Sequence, residues 1–330
     1  MEKKLRWGIM STAAIAQRAM IPGIQESHTG VLQAIASRSL ETAEEVAEKF
    51  SIASAYGSYE ELLADEQIDA VYIPLPNHLH KEWVIKAARA GKHILCEKPI
   101  ALTAAEAEEM KMVCEEQEVL LSEAFMYRYQ PRYTEIKQRI KEGDIGVIRG
   151  LRGSFTFNSA GKTSSFRAKQ DQGGGGLYDI GVYPVSAARM ILDEEPKAAT
   201  MHAYFSEKHD NVDMVAAGLL EFADGKFLTF DCGMWAAGRN ELEIVGTDGR
   251  IVIEDAFTGF DQLYTMYRGS EKSVREIGNV NHYALQADTI ARAAEKGENL
   301  PYDGTDAVLN MKVVDACLAS ARSKTRVEVV

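Results

Sequence analysis

Short apolar runs alternate with amphipathic helical patterns along the N-terminal third of the chain. The apolar runs predict strands over residues 5–10, 31–36, 70–73, 93–96 and 119–121. The helical patterns predict helices over residues 15–25, 40–50, 58–64, 81–90 and 104–117. This strand–helix alternation predicts a parallel sheet with helices on both faces, which is a doubly wound α/β architecture.

Beyond Gly146 the apolar period changes from helical spacing to two, after one amphipathic helix predicted over residues 131–142. Strands are predicted over residues 147–157, 214–222, 226–232, 241–245, 250–254 and 263–267. Asp-Gly pairs join two of these strand pairs and are typical of hairpins. Helices over 283–296 and 307–323 and a short β-prone stretch over 326–330 follow. The pattern predicts two domains, 1–123 and 124–330, the second of the α+β class with a large, mostly antiparallel sheet.

Composition narrows the range of partners. The 330 residues are 46% hydrophobic and carry a net charge of −12, which argues against nucleic acid and an anionic membrane surface. Four cysteines lie far apart without metal-ligand spacing, and we expect free thiols, no metal site and a reducing, cytoplasmic environment. We found no signal-peptide pattern and no long apolar span.

Cys96-Glu97-Lys98-Pro99 ends the predicted strand 93–96, and Thr103 with Glu106 forms a capping box for the next helix. Ligands in open α/β sheets bind outside the carboxyl ends of the strands. Lys98 and Glu97 are therefore placed to contact a ligand, although the pattern alone fits equally well a surface Glu–Lys pair on a loop.

The first strand–helix turn has three small positions, Ser11, Ala13 and Ala16, where a dinucleotide-binding turn usually has glycines. Small residues there let backbone N–H groups and a helix N-terminus face a pyrophosphate. The turn alone also fits an ordinary strand–helix connection, but its position after the first strand supports a Rossmann-like site. We expect the cofactor to contact Gly8, Ser11, Thr12, Ala13, Ala14 and Ile15.

The end of the second strand favours one cofactor over the other. NAD enzymes usually have an acidic residue there, whereas an arginine suits the 2′-phosphate of NADP. This chain has Ser37 and Arg38 and no acid, which predicts that NADP(H) is preferred and that NAD(H) is possible. The stiff loop after the strand at 70–73 contributes three more candidate cofactor contacts, Pro74, Leu75 and Asn77, and His80 is a fourth that is also a candidate cap of the next helix.

A run of four glycines, 173–176, precedes Asp179 and Tyr183. The glycines let the backbone approach another surface closely. At i,i+4 spacing Asp179 and Tyr183 share one helical face, although Pro184 disfavours helical geometry at the residue before it. A glycine-rich loop with Tyr183 packed in the core is the structural alternative.

The Glu97-Lys98-Pro99 element, together with Asp179-x-x-x-Tyr183 behind a glycine run, resembles the Gfo/Idh/MocA oxidoreductases over essentially the whole chain. Within that family the chain is most similar to the dimeric dihydrodiol dehydrogenases and NADP-dependent D-xylose dehydrogenases. Further similarities are the Trp7–Ser11 opening, the 56–62 segment and the 123–128 segment. The glycine-free first turn departs from the family pattern.

The resemblance implies hydride transfer between nicotinamide and a sugar, polyol or cyclic diol. It implies Lys98, Tyr183 and Asp179 as catalytic residues, with Tyr183 meeting Lys98 at the domain interface. A nearby ammonium favours a phenolate and so makes tyrosine a better proton-transfer group. Glu97 and Asn77 are expected to position the cofactor. Arg128 and Arg167 are expected to donate hydrogen bonds to substrate, with Asp179 and Tyr183 also contacting it.

Two other classes of function remain open at this point. One is a catalytically silent protein of the same fold that senses NAD(P), since fold does not fix function. The other is a purely structural or interaction protein, against which the Rossmann-like pattern argues. The second domain predicts a homodimer or higher homo-oligomer, because an antiparallel sheet needs both faces covered and its helices can cover only one.

Overall fold

The computed structural model describes residues 4–330, which form two sheets and nine α-helices in the described part of the chain. Strands of the first sheet are β1 Leu5–Met10, β2 Gly30–Ala36, β3 Ser54–Tyr56, β4 Ala70–Ile73, β5 His93–Cys96 and β6 Leu121–Glu123. Strands of the second are β7 Ile148–Asn158, β8 Ala198–Ser206, β9 Val212–Glu221, β10 Phe227–Gly233, β11 Trp235–Gly246, β12 Gly249–Glu254, β13 Leu263–Arg268, β14 Glu271–Glu276 and β15 Val327–Glu328. Helices are α1 Ile21–Glu26, α2 Leu40–Phe50, α3 Tyr59–Ala64, α4 His80–Arg89, α5 Ala104–Glu116, α6 Pro131–Lys141, α7 Val182–Leu192, α8 His282–Lys296 and α9 Gly304–Ser323.

The first sheet has the order β3-β2-β1-β4-β5-β6, and every neighbouring pair is parallel. The strand order reverses between β1 and β4, because β2 and β3 lie on one side of β1 and β4, β5 and β6 on the other. This is the topological switch point of a Rossmann fold. The predicted α/β class of the N-terminal part is confirmed. The last predicted strand of this sheet lies two residues later than expected, and the three-residue edge strand β3 was missed because it is too short to show a period.

The second sheet has the order β14-β13-β12-β11-β7-β10-β9-β8-β15. The β7–β10 pair is parallel and the other neighbouring pairs are antiparallel, so the predicted mostly antiparallel sheet is confirmed. Asp224 and Gly225 both have positive φ (55° and 72°) at the β9–β10 connection. This is the backbone that tight hairpins favour. Strands β8 and β14 were missed.

The described chain divides into two compact units that do not follow a single cut in the sequence. The first contains residues 4–129 and 281–308, and the second contains residues 130–280 and 309–330. Helix α8 therefore packs with the N-terminal sheet, although it follows the strands of the second sheet in sequence. The division of function at residue 123 stays a prediction.

Hydrogen bonds attach α8 to the first unit. The Asp288 carboxylate on α8 accepts hydrogen bonds from Ser27 Oγ (2.5 Å), Thr29 N (2.9 Å) and Thr29 Oγ1 (2.6 Å). The backbone of α1 also comes close to α8, because a Cβ at Gly23 would lie 2.5 Å from Tyr283 Cβ. Helix α8 thus covers α1 and the start of β2.

In the second unit, α7 is buried along almost its whole length, which suits its nearly uniform apolar sequence. Two glycines fix its distance from the sheet. A Cβ at Gly153 of β7 would lie 2.6 Å from Pro184 Cβ, and a Cβ at Gly181 would lie 2.7 Å from Cys232 Sγ on β10. The start of α7 is therefore in direct contact with the second sheet.

Candidate functional site

The Glu97-Lys98-Pro99 element lies at the carboxyl end of β5, as the sequence predicted. Glu97 N donates to Ile73 O at the end of β4 (3.1 Å), so the element begins at the edge of the sheet. The Glu97 carboxylate accepts from Tyr72 Oη (2.5 Å) and from Lys98 N (3.3 Å). Burial and the neighbouring Glu97 hold the pKa of Tyr72 well above its usual value, so Tyr72 stays a hydrogen-bond donor to Glu97.

His80 lies beneath this element and is fully buried. Its Nδ1 is 2.9 Å from Pro99 O and its Nε2 is 2.8 Å from Leu75 O. It thus connects the loop after β4 to the loop after β5. Burial lowers the pKa of His80, while the two carbonyl oxygens oppose that shift. The interpretation of His80 as a cap of α4 is wrong: it is the first residue of the helix, and its side chain accepts no cap hydrogen bond.

The first strand–helix turn is held by its own side chains. Ser11 Oγ accepts from Ala13 N (3.1 Å), and Gln17 Nε2 donates to Thr12 O (2.9 Å). A π-helical turn over Ala16–Met20 and α1 follow, so a helical N-terminus faces this edge of the sheet. Gly8 lies within β1, where a Cβ would lie 2.9 Å from a methyl group of Leu62.

Arg38 is exposed at the carboxyl end of β2, and Ser37 before it is half-buried. Ser39 Oγ accepts from Thr42 N and so begins α2 directly after the arginine. Tyr59, at the start of α3, is influenced by both Arg38 at the end of β2 and Ser11 in the turn after β1. Burial raises the pKa of Tyr59, whereas the Arg38 charge and the Ser11 hydroxyl act against that shift. Ser11, Arg38 and Tyr59 therefore lie in one neighbourhood.

The loop after β4 places Pro74, Leu75 and Asn77 beside this edge of the sheet, and all three are buried. Asn77 begins a 3₁₀ turn that ends at Leu79 and leads into α4. In residues 4–330 no group of three His, Cys, Asp or Glu side chains is arranged to hold a metal ion.

In the second unit, Asp179 and Arg167 form an ion pair, with Arg167 Nε donating to Asp179 Oδ2 at 2.9 Å. The guanidinium of Arg167 also lies over the Phe166 ring, with 4.6 Å between the guanidinium carbon and the ring centroid. Asp179 belongs to a π-helical turn over Leu177–Gly181 that continues into α7. Pro184 falls in the first turn of α7, directly after this π-helical turn, so the helix departs from regular α geometry next to the proline.

Tyr183 is 4% exposed and packs against two aromatic rings. Its ring centroid lies 5.3 Å from that of Phe155 on β7 and 5.7 Å from that of Phe257. Arg132, whose guanidinium donates to the backbone carbonyls of Asp255 and Ala256, holds the loop that carries Phe257. Tyr183 and Asp179 belong to the second unit and Lys98 to the first.

Arg128 lies in the first unit and is buried. Its guanidinium pairs with Asp306 and lies between the rings of Phe125 and Tyr302, at 4.7 and 4.5 Å from their centroids. Substrate contact by Arg128 stays a prediction.

Sequence reasoning missed several residues that surround the predicted site: Tyr59, Tyr72, Phe155, Asp213 and Phe257. Aromatic residues in strands and helix starts give no signal of their own, because the same pattern is typical of core packing. Asp213 did carry a signal. It is a carboxylate between the buried apolar residues Val212 and Met214, and such a residue needs a compensating partner.

Residues 5–125 match the model of the Gfo/Idh/MocA oxidoreductase family with an NAD-binding Rossmann fold, and residues 133–252 match the C-terminal domain model of the same family. This chain belongs to the Gfo/Idh/MocA oxidoreductase family. None of the helices within residues 4–330 is long and apolar enough to cross a membrane.

Particular relatives extend over three quarters or more of the chain. An NADP⁺-dependent D-xylose 1-dehydrogenase from Haloferax volcanii is 35% identical over 98% of this chain and 99% of its own. A trans-1,2-dihydrobenzene-1,2-diol dehydrogenase from Mus musculus is 34% identical over 76% of this chain and 74% of its own. The crystal structure of a variant of a 3-ketoreductase from Actinomadura kijaniata, in complex with TDP-benzene and NADP, superposes with a TM-score of 0.89 at 31% identity, over 96% of this chain and 98% of that one.

Proposed function

We propose that this protein is an NADP(H)-preferring oxidoreductase that transfers a hydride between nicotinamide and a CH–OH or carbonyl group of a sugar, polyol or cyclic diol. The observation that carries the proposal is the Glu97-Lys98-Pro99 element at the carboxyl end of β5, beside the switch point of a family Rossmann sheet. Relatives named as an NADP⁺-dependent xylose dehydrogenase, a dihydrodiol dehydrogenase and a ketoreductase support this substrate class.

The residues around the switch point fit a dinucleotide. The turn from Ser11 to Ile15 carries only one side chain larger than threonine, so its backbone is accessible to a pyrophosphate. Arg38 and Ser37 end β2 without an acidic residue, which suits a 2′-phosphate. We propose that the cofactor is held by Gly8, Ser11, Thr12, Ala13, Ala14, Ile15, Ser37, Arg38, Pro74, Leu75, Asn77, His80, Glu97 and Lys98. Bound nicotinamide supplies or accepts the hydride.

The chain must then move a proton to or from the substrate oxygen. We propose that Tyr183 does so as the general acid–base, that Lys98 assists by its positive charge, and that Asp179 orients the tyrosine or a substrate hydroxyl. Burial of the Tyr183 ring between Phe155 and Phe257 supports a fixed phenol position. Arg167 and Arg128 are proposed substrate donors. The Arg167–Asp179 pair leaves part of the Arg167 side chain exposed, whereas the Arg128 side chain is almost completely buried. Arg167 is therefore the better candidate for a hydrogen bond to substrate.

We propose that residues 1–123 bind the cofactor and that 124–330 bind substrate and mediate dimerisation through the second sheet. The face of that sheet opposite α7 carries exposed apolar residues such as Tyr204 and Val215 and, on other strands, arginine–carboxylate pairs such as Arg250 with Glu243. A second copy of the chain would cover them. Four buried free cysteines support a reducing, cytoplasmic location.

The proposal is tested with purified protein, first by the fluorescence of NADPH and NADH on titration and then by turnover. Aldoses, inositols, 1,5-anhydrofructose and trans-diols are offered with NADP(H) and NAD(H) in parallel. We expect submillimolar NADPH binding and turnover of at least one polyhydroxylated substrate. Tight NADPH binding without turnover of any member would favour a cofactor-sensing protein. If the protein binds neither NADPH nor NADH, the proposal is contradicted.

A further inference from the structure

Asp213 is a buried carboxylate that the proposed proton transfer does not use. It lies on β9, is 2% exposed, and is flanked by Val212 and Met214. Its Oδ2 accepts a hydrogen bond from Leu177 N at 2.7 Å. Leu177 begins the π-helical turn that carries Asp179 and leads into the start of α7, where Tyr183 lies. A buried carboxylate is therefore bonded to the first amide of the segment that carries both proposed catalytic residues of the second unit.

The glycine run before this segment makes room for the carboxylate. Gly175 has a φ of +123°, which side chains rarely adopt, and a Cβ there would collide with Asp213 Oδ1. A Cβ at Gly176 would lie 3.2 Å from Gly233 Cα and 3.4 Å from Asp213 Oδ2. The backbone of Gly175 and Gly176 thus wraps closely around Asp213. This close approach gives a physical reason for glycine at both positions.

Other contacts hold the segment on both sides of Leu177, whose amide is bonded to Asp213. Gly181 rests on Cys232 and Pro184 rests on Gly153, which hold the start of α7 on the sheet. At the other end, Asp179 N donates to Gly175 O (3.0 Å), and Gly175 N donates to Arg167 O (3.0 Å). Moving Gly175–Leu177 would therefore move Asp179 and its partner Arg167 together.

The charged and titratable groups that act with Asp213 come from two packed elements, Arg322 on α9 and the Cys232 thiol on β10. Burial raises the pKa of Asp213 to about 7, while the amides of Leu177 and Gly176 and the charge of Arg322 oppose the shift. A negative charge is favourable at the N-terminal end of a helical segment.

We propose that Asp213 is a positioning residue that fixes Asp179 and Tyr183 through the amides at the start of their segment. This inference rests on the proposed function, since it assigns to Asp213 the orientation of the residues that move the proton. Small displacements of catalytic groups are costly, and a shift of about 1 Å can lower rates by about a hundredfold.

Asp213→Asn keeps the size of the side chain and removes its charge. We expect kcat to fall by about ten- to a hundredfold while the Kd for NADPH, bound by the other unit, stays within about twofold. We also expect an ionisation near pH 7 in the wild-type kcat–pH profile to be absent from the variant. Asp288→Asn is the matched control, because it removes another buried, hydrogen-bonded carboxylate. That control should lower Tm and leave kcat and the pH profile unchanged.

Combination with Tyr183→Phe separates this inference from the proposed function. If Asp213 positions Tyr183, Asp213→Asn should have little further effect once the hydroxyl is gone. If Asp213→Asn has the same kcat and the same pH profile as the wild type, the positioning role is overturned, whatever the effect of Tyr183→Phe. A loss of kcat in Asp213→Asn with normal kcat in Tyr183→Phe would keep the positioning of the segment, through Asp179, and overturn only the proton-transfer assignment. Full multiplication of the two losses would overturn the positioning of Tyr183.

If Asp213→Asn yields too little folded protein, hydrogen–deuterium exchange of the wild type tests the positioning role of Asp213 instead. The peptide covering 175–183 is followed from pH 8 to pH 6, with rates corrected for intrinsic exchange. We expect its protection to increase as Asp213 is protonated, because burial raises the pKa of Asp213 and the folded segment therefore binds the proton more tightly than the opened one, while a peptide from α8 keeps its protection. Unchanged protection of 175–183 would overturn the role.

Discussion

Arg38 is an exposed side chain at the end of β2, directly before the Ser39 cap of α2. The cap fixes the backbone around the arginine, and the guanidinium remains available to solvent. Tyr59 and Ser11 lie in the same neighbourhood. An arginine so held can bind a phosphate with charge-assisted hydrogen bonds and gains little from a ribose hydroxyl.

We therefore expect Arg38→Ala to weaken NADP(H) binding by about tenfold or more, since such a hydrogen bond contributes about 1.5–3 kcal/mol. NAD(H) binding should stay nearly unchanged. The measurement is a fluorescence titration with both reduced cofactors, and Arg89→Ala, an exposed arginine at the end of α4, is the control. Equal loss for both cofactors, or a wild-type preference for NADH, would contradict the assignment of Arg38.

Asp213 also predicts a pH dependence of stability. Its pKa is raised from the unfolded value near 4 to about 7 in the folded protein. The folded state therefore binds the proton more tightly, and the contribution of Asp213 is fully present below pH 4 and is lost as pH rises towards 7. Thermal unfolding of wild type and Asp213→Asn between pH 4 and pH 8 tests this. Wild type should lose stability relative to the variant as pH rises, by at most about 4 kcal/mol; parallel curves would contradict it.

At the scale of elements, α8 follows the second sheet in sequence but packs with the first. The Asp288 carboxylate provides the attachment, with Ser27 and Thr29 as donors. Burial alone would raise the pKa of Asp288, but the hydrogen bonds from Ser27 and Thr29 outweigh it and hold the pKa below the usual value. The contribution of Asp288 to folding stability is therefore present above pH 4 and is lost as the pH falls through the lowered pKa of this carboxylate.

Asp288→Asn should destabilise the protein by about 1–3 kcal/mol at pH 7, because a buried set of donors loses its charged acceptor. Chemical denaturation at pH 7 and pH 3.5 gives the comparison. The difference between wild type and variant should shrink at the lower pH. A difference that is constant with pH, or zero at pH 7, would show that Asp288 does not hold α8.

Much of this element structure follows from local chemistry that a sequence reveals. Thr103 accepts the amide of Glu106, as its spacing predicted, and Ser58 accepts the amide of Glu61 at the start of α3 in the same way. The Asp224-Gly225 turn adopts the positive φ values that its residues favour. By contrast, β14 is a charged edge strand without a buried face, so its sequence has no apolar alternation that would predict a strand. The partner of α8 depends on Asp288 contacts 259 and 261 residues away in sequence, which no local pattern encodes.

The same distinction holds for the candidate site. The motif at Glu97–Pro99 and the turn after β1 are contiguous in sequence and were predicted at the correct edge of the sheet. The groups that support them are not contiguous: Tyr72 reaches Glu97 from the neighbouring strand, and Asp213 reaches Leu177 from β9. Long-range support of this kind appears only when the topology is known.

At the scale of the whole molecule, the open face of the second sheet predicts a dimer. Val215 on β9 is 39% exposed, as is Val31 on β2 of the first sheet, which makes the two valines a matched pair. Val215→Lys should introduce unpaired charge into a sheet-to-sheet interface and shift the mass from dimer to monomer at micromolar concentration. Val31→Lys should leave the dimer intact. Light scattering measures both, and a monomeric wild type would contradict the assembly.

The most direct test of the central claim, proton transfer by Tyr183 during nicotinamide-dependent turnover, is the kcat of Tyr183→Phe on a substrate that the wild type converts. The substitution keeps the ring packed against Phe155 and Phe257 and removes the hydroxyl. Tyr178→Phe, in the same segment, is the matched control. General acid–base catalysis contributes about 10² to 10⁴ in rate, so kcat should fall by that factor in Tyr183→Phe with NADPH binding unchanged, and should be near normal in Tyr178→Phe. A near-normal kcat in Tyr183→Phe would contradict the account.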